Sequence, residues 1–167
     1  DDITVISNLL ESRIICGPVR LYHDMYEMIA PSKIWSSRDF FQAKYNEQLK
    51  RYQKYHDTTY NLEPNIKEGP GALRDIHMIA WVAKRQYHAR SLYDLLQHQF
   101  LTVAEYQALV EGQNFLWHLR FALHTIANGR EDRLLFDYQK EIALLFGYSD
   151  DDKHLAVEYF MKRVYRT

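Results

Sequence analysis

Punctuation of the chain constrains its fold more than any other feature. In 167 residues there are six glycines and four prolines, and Pro64, Gly69, Pro70 and Gly71 crowd into one short stretch. Elsewhere the apolar residues recur every three or four positions, the period of a helix with one buried face. Ile3, Ile6, Leu10 and Ile14 predict a first helix ended by Gly17-Pro18. Leu21, Met25, Met28 and Ile29 predict a second, stopped by Pro31. Ser37 is placed to cap a third running to about Tyr55, with Phe40, Phe41, Tyr45, Leu49 and Tyr52 inward. An apolar fourth helix is expected from Ala72 to about Tyr87, and Ser91 caps a short fifth. Thr102-Val103-Ala104-Glu105 is a capping box opening a long helix to about Asn128, closed by Gly129. A seventh spans Asp137 to Phe146, ended by Gly147, and Asp150-Asp151-Asp152 suit the positive end of an eighth. No stretch alternates as a strand does. The expectation is an all-α bundle of about seven or eight helices in one domain, with a single long functional loop at about 56–71.

Composition narrows the function. Apolar residues make up 47% and charged residues 26%, ordinary for a globular chain. With 21 basic and 22 acidic residues the formal charge is -1, so no global field draws the chain to nucleic acid or a membrane, and any phosphate site must be local. No apolar run reaches the ~20 residues of a membrane span. The lone Cys16 excludes an internal disulfide and suits a reducing, cytoplasmic setting; it reads as a small core hydrophobe rather than a nucleophile. The eight histidines include no pair at the i, i+4 spacing that places two imidazoles on one helix face. The dipeptides His23-Asp24 and His56-Asp57 are no more than chance supplies, and no metal site is expected from this chain. The opening residues contain neither an initiator Met nor a signal peptide, which points to a piece of a longer chain.

The loop and the helix after it concentrate the chemistry: Asn61-Leu62-Glu63-Pro64-Asn65-Ile66-Lys67-Glu68-Gly69-Pro70-Gly71-Ala72-Leu73-Arg74-Asp75-Ile76-His77. Gly69 and Gly71 permit close backbone approach. The first N–H groups of the following helix lack intrahelical partners, and Lys67 and Arg74 lie within reach of the same spot. Together these form the recipe for an anion or phosphate site. A second reading fits the residues equally: the glycines make a turn, Asp75 complements the helix dipole, and Arg74 sits in an ion pair. Asn8 and Ser12 form a further polar pair on the first helix, flanked by Glu11 and Arg13, and a solvated face accounts for them.

Asn8-Leu9-Leu10-Glu11-Ser12-Arg13, Tyr60-Asn61-Leu62-Glu63-Pro64-Asn65-Ile66-Lys67, Pro70-Gly71-Ala72-Leu73-Arg74-Asp75-Ile76-His77 and Arg133-Leu134-Leu135-Phe136-Asp137 occur in this order. In order and spacing they resemble the bacterial protein-PII uridylyltransferase/uridylyl-removing enzymes, specifically the helical domain that follows the nucleotidyltransferase core. Ala72 departs from the family pattern, which usually has a second Gly there. The related glutamine-synthetase adenylyltransferases carry Glu at the position of His77, which favours the uridylyl branch. The family's Asp-x-Asp signature, which holds two Mg²⁺, has no counterpart here, and Asp1-Asp2 precede a helical period. The resemblance therefore implies part of an enzyme that transfers uridylyl from UTP to a tyrosine of the PII signal protein, inactive when alone. It implies Lys67, Arg74 and Gly71 at the phosphates, and Asp75, His77, Asn65, Asn8 and Arg13 orienting or lining the site. The metal ligands, the phosphohydrolase domain and the ACT domains would lie elsewhere in the intact chain. The competing expectation is a docking or scaffolding module that seats PII or other domains of the same chain, with Tyr106, Gln113 and Arg120 at its surface.

Overall fold

The computed structural model describes residues 2–54, 61–89 and 91–167. These residues form eight α-helices and no strand: α1 (Ile3–Leu10), α2 (Val19–Met28), α3 (Ser37–Lys54), α4 (Leu73–Tyr87), α5 (Leu92–Gln97), α6 (Val103–Ile126), α7 (Phe136–Leu145) and α8 (Ala156–Arg166). Among the described residues one isolated antiparallel bridge joins Asn65 to Arg133. The all-α reading holds. Residues 56–60 of the expected loop, with His56, Asp57 and Tyr60, lie outside the described residues. None of the helices described is long and apolar enough to cross a membrane.

The chain sorts into two compact units, 1–49 with 77–101 and 50–76 with 102–167. In the first unit Ile6, Leu10, Ile29, Phe40 and Trp81 form the buried cluster, flanked by Ile34 and Trp35. Two cations are buried with it. The Lys44 ammonium lies 4.3 Å from the Trp81 ring centroid and donates to Glu47 at 2.6 Å. Arg85 donates to the carbonyls of Ile29, Ile34 and Trp35, tying down the α2–α3 connection. A carbonyl triad suits the fixed fork of a guanidinium. In the second unit Leu119, Leu123, Leu134, Ile142 and Phe160 are fully buried. Phe146 stands between Phe115 and Phe160, 5.8 Å from each ring centre.

Several boundaries differ from the sequence expectation. Helix α1 stops at Leu10, and side chains take carbonyls at its end and just beyond it: Tyr26 donates to Leu10 at 3.3 Å and Tyr22 to Ser12 at 3.0 Å. Ile14 is exposed, and Asn8 and Ser12 do not share a helical face. Ser36, not Ser37, caps α3, its hydroxyl accepting from Asp39 N at 3.2 Å. The buried line of α3 is Phe40 and Lys44, while Phe41, Tyr45 and Leu49 face outward. The lysine's long apolar stem lets it occupy a position that polarity would have placed outside. Helix α2 buries none of its residues, leaving Leu21 and Met28 exposed. Cys16 is exposed, not a core residue. The α6 capping box forms as expected. Its far end turns through Asn128 at φ 49°, one residue before Gly129, a conformation that asparagine tolerates.

Candidate functional site

The segment 61–76 belongs to the second unit and is shaped by its own polar side chains. Asn61 Oδ1 accepts from Glu63 N at 3.0 Å, and Asn65 Oδ1 accepts from Lys67 N at 3.0 Å and Glu68 N at 2.7 Å. These are Asx turns, in which a side chain mimics a turn's backbone. Gly69 N donates to Asn65 O at 3.0 Å, and a Cβ on Gly69 would stand 2.7 Å from that oxygen. Gly69 is therefore required by the turn itself. Gly71 has φ +73° with open space where a Cβ would be, and its N–H goes to Asp75 Oδ2 at 2.8 Å.

This geometry corrects one part of the anion-site recipe. The opening amides of α4 are not free: Leu73 N donates to Ile66 O, Arg74 N to Lys67 O at 2.9 Å, and Asp75 N to Ala72 O at 2.9 Å. The turn at 66–69 folds its own carbonyls over the helix start, and the donors that would meet an anion are already used. Only the side-chain cations are left to do so.

Those cations are unequally held. Arg74 donates to Glu68 at 3.1 Å. The Lys67 ammonium stands 3.8 Å from Glu68 and 3.8 Å from Asp132, outside hydrogen-bond range of both, with the side chain 19% exposed. Asp75 accepts from Arg51, Tyr52 and the Gly71 amide, so it braces the loop against the end of α3.

Asp132 is a hub. Arg120 Nε donates to it at 2.7 Å, His124 Nε2 lies at 3.2 Å, and Arg130 stands at 3.7 Å. Burial alone would raise its carboxyl. Hydrogen bonds from Arg120 and His124, with the charges of Arg120 and Lys67, outweigh that and hold it below its ordinary 3.8.

Two of the four sequence motifs prove to be one object. Ile66 N donates to Asp132 O and Leu134 N to Pro64 O, both at 2.9 Å. Glu63 Oε1 accepts the first α7 amide, Phe136 N, at 2.9 Å. Gln139, buried, donates to Leu62 O at 2.8 Å and Leu134 O at 3.0 Å. The 61–67 and 132–139 segments are thus laced together, which fixes where Lys67 stands.

Of the other candidates, Asn8 and Arg13 are exposed in the first unit. His77 also belongs there, its ring 5.8 Å from that of Trp81. Sequence reasoning did not single out Asp132, His124, Arg130, Glu63 or Gln139. The available signal was the charged run Arg130-Glu131-Asp132-Arg133 directly after a helix end, with Arg120 and His124 one turn apart on α6. Among the described residues no group of three or more His, Cys, Asp or Glu side chains could hold a metal ion.

Comparison with known proteins gives a consistent picture. Residues 39–167 match the GlnD PII-uridylyltransferase family. A bifunctional uridylyltransferase/uridylyl-removing enzyme of Nitrosococcus oceani is 56% identical over 167 residues, 100% of this chain and 19% of that protein. The enzyme of the same description from Methylococcus capsulatus is 53% identical over 166 residues, 99% of this chain and 19% of its own length. One from Pseudomonas aeruginosa is 50% identical over 165 residues, 99% and 18% respectively. The chain therefore spans about a fifth of the length of these relatives. No solved structure matches it.

Proposed function

The chain belongs to the GlnD PII-uridylyltransferase family, and on that premise we propose that it is the helical domain of such an enzyme, positioning the nucleotide for uridylyl transfer in nitrogen-status signalling. In the reaction a tyrosine hydroxyl of PII attacks the α-phosphorus of UTP. The new bond is tyrosine oxygen to phosphorus, the bond to the β-phosphate oxygen breaks, pyrophosphate leaves and the hydroxyl proton passes to solvent. Mg²⁺ supplies charge stabilisation when bound in the intact enzyme, by ligands outside this chain. What this chain contributes is fixed positive charge at the polyphosphate, from Lys67 and Arg74, on a turn shaped by Asn65 and braced by Asp75. By itself the chain does not catalyse, and the intact enzyme works in the cytoplasm.

The observation that carries the phosphate assignment is the Lys67 ammonium. It is held between two carboxylates without a hydrogen bond to either, so its three donors are available to phosphate oxygens. The test uses full-length enzyme, labelled UTP and purified PII. Arg74→Ala is expected to cut uridylyl transfer by about two orders of magnitude, the worth of one electrostatic contact in the transition state, and Lys67→Gln to raise the KM for UTP. Wild-type rates from both folded variants would overturn the assignment. Label arriving from ATP on glutamine synthetase would move the protein to the adenylyl branch.

A docking role is favoured by a different observation: Trp117 and Phe121, one turn apart on α6, are 49% and 75% exposed. Changes at Tyr106, Gln113 or Arg120 that abolish PII binding at unchanged UTP affinity would support it.

A further inference from the structure

We propose that Arg120 and Arg130 are additional binding residues for the same polyphosphate, and that Asp132 is an internal counter-ion occupying, before substrate arrives, the place of a phosphate oxygen. The inference rests on the preceding reading of Lys67 and extends it.

The argument is one of charge and distance. Lys67, Arg74, Arg120 and Arg130 gather on two carboxylates, Glu68 and Asp132. A further acid, Glu131, is turned to the backbone amides of Asp132 and Arg133 at 2.9 and 2.7 Å, and Glu63 is paired with Arg133. Even with Glu131 included, four guanidinium and ammonium groups face three carboxylates, before any charge on His124. An excess of cations around a carboxylate that is 11% exposed is an electrostatic demand for another anion.

The distances are graded in a telling way. Arg120 and His124 make hydrogen bonds to Oδ1, while Lys67 and Arg130 approach Oδ2 only to 3.8 and 3.7 Å. Oδ2 is thus surrounded by charge without being bonded to it. Arg120 is about a third exposed and Arg130 76% exposed, so both can turn to a ligand at little cost. A polyphosphate offers several oxygens where Asp132 offers two, and Arg matches that geometry in pairs of hydrogen bonds.

A purely structural knot and a counter-ion predict opposite signs for Asp132→Asn. If Asp132 competes with substrate for the cations, neutralising it strengthens anion binding; if it merely anchors them, neutralising it weakens binding. The experiment measures, on full-length enzyme, the KM for UTP and the inhibition constant of inorganic pyrophosphate at two salt concentrations.

Arg130→Gln and Arg120→Gln are expected to raise both constants about two- to fivefold, the worth of one partly screened charge contact, and to flatten their salt dependence. Asp132→Asn is expected to lower the pyrophosphate constant. Arg130 is exposed enough that its variant folds whatever becomes of Arg120. If Lys67→Gln raises the constants while Arg120→Gln and Arg130→Gln leave them unchanged, this inference falls and the earlier reading stands. If Lys67→Gln is also without effect, both fall. A raised constant in Asp132→Asn overturns the counter-ion role. An effect of Arg120→Gln and Arg130→Gln on the KM for PII alone makes the cluster a protein-docking patch and overturns the proposal.

Discussion

At the scale of single residues, the two loop glycines separate two kinds of necessity. Gly69 is required by space: a Cβ there would stand 2.7 Å from the Asn65 carbonyl oxygen that its own amide binds. Gly71 is required by its dihedral angle alone, with φ +73° and nothing within 4 Å of a Cβ. Gly69→Ala must open the turn, costing about 1–3 kcal/mol as overpacking does, and it displaces Lys67. Gly71→Ala costs about 1–2 kcal/mol of backbone strain without moving the turn, and Gly71→Asn recovers part of it because asparagine enters the left-handed region more readily. Hydrogen exchange of the α4 amides in the full-length protein checks this. Gly69→Ala should speed exchange of Leu73 and Arg74, whose carbonyl partners lie in the turn, and Gly71→Asn should change it little. Equal effects at both positions would refute the distinction.

At the scale of helices, periodicity revealed where elements lie and polar capping revealed some of their ends. The Thr102–Glu105 box was legible because both partners sit within four residues of sequence. The end of α1 was not, because the donors that meet the chain there, Tyr22 and Tyr26, come from the next helix. The same limit hid Arg85, whose carbonyl partners are about fifty positions away. The loop's anion recipe was half legible for this reason: the cations are visible in sequence, but the carbonyls that consume the α4 amides depend on how the turn closes. Arg85 gives the element-scale prediction. Arg85, 3% exposed, supplies guanidinium donors to three carbonyls in the α2–α3 connection, and burial lowers its pKa. Arg85→Lys keeps the charge and loses the fork, leaving carbonyls unsatisfied at about 1–3 kcal/mol each. Thermal unfolding of the variant should fall by several degrees, with faster proteolysis in residues 29–36. An unchanged melting curve would show that the clamp is not needed.

At the scale of the whole molecule, near-neutral charge conceals a locally unbalanced one, and acid should expose it. Asp132 is held below its ordinary carboxyl value by Arg120, His124 and Lys67 against the opposing effect of burial. Its folded form prefers the charged state more than its unfolded form does, so its ion pairs stabilise the fold fully above the unfolded value of about 4. That contribution drains away as pH falls through the unfolded value towards the lower, folded one. Asp2, Glu105 and Asp151 shift in the same direction through hydrogen bonds to backbone amides or, for Asp151, first to Tyr159. They are exposed to solvent, and their share is correspondingly screened. Asp132→Asn should therefore be less stable than wild type at pH 7, and the difference should shrink between pH 5 and pH 3 as the wild-type carboxyl takes up its proton. Urea midpoints of the full-length protein across that range measure it. Coincident curves for the two proteins would mean that the hub contributes nothing to folding. Its three cations, Lys67, Arg120 and Arg130, would then be held there at no gain in stability, which is the condition under which an anionic substrate could take them over most easily.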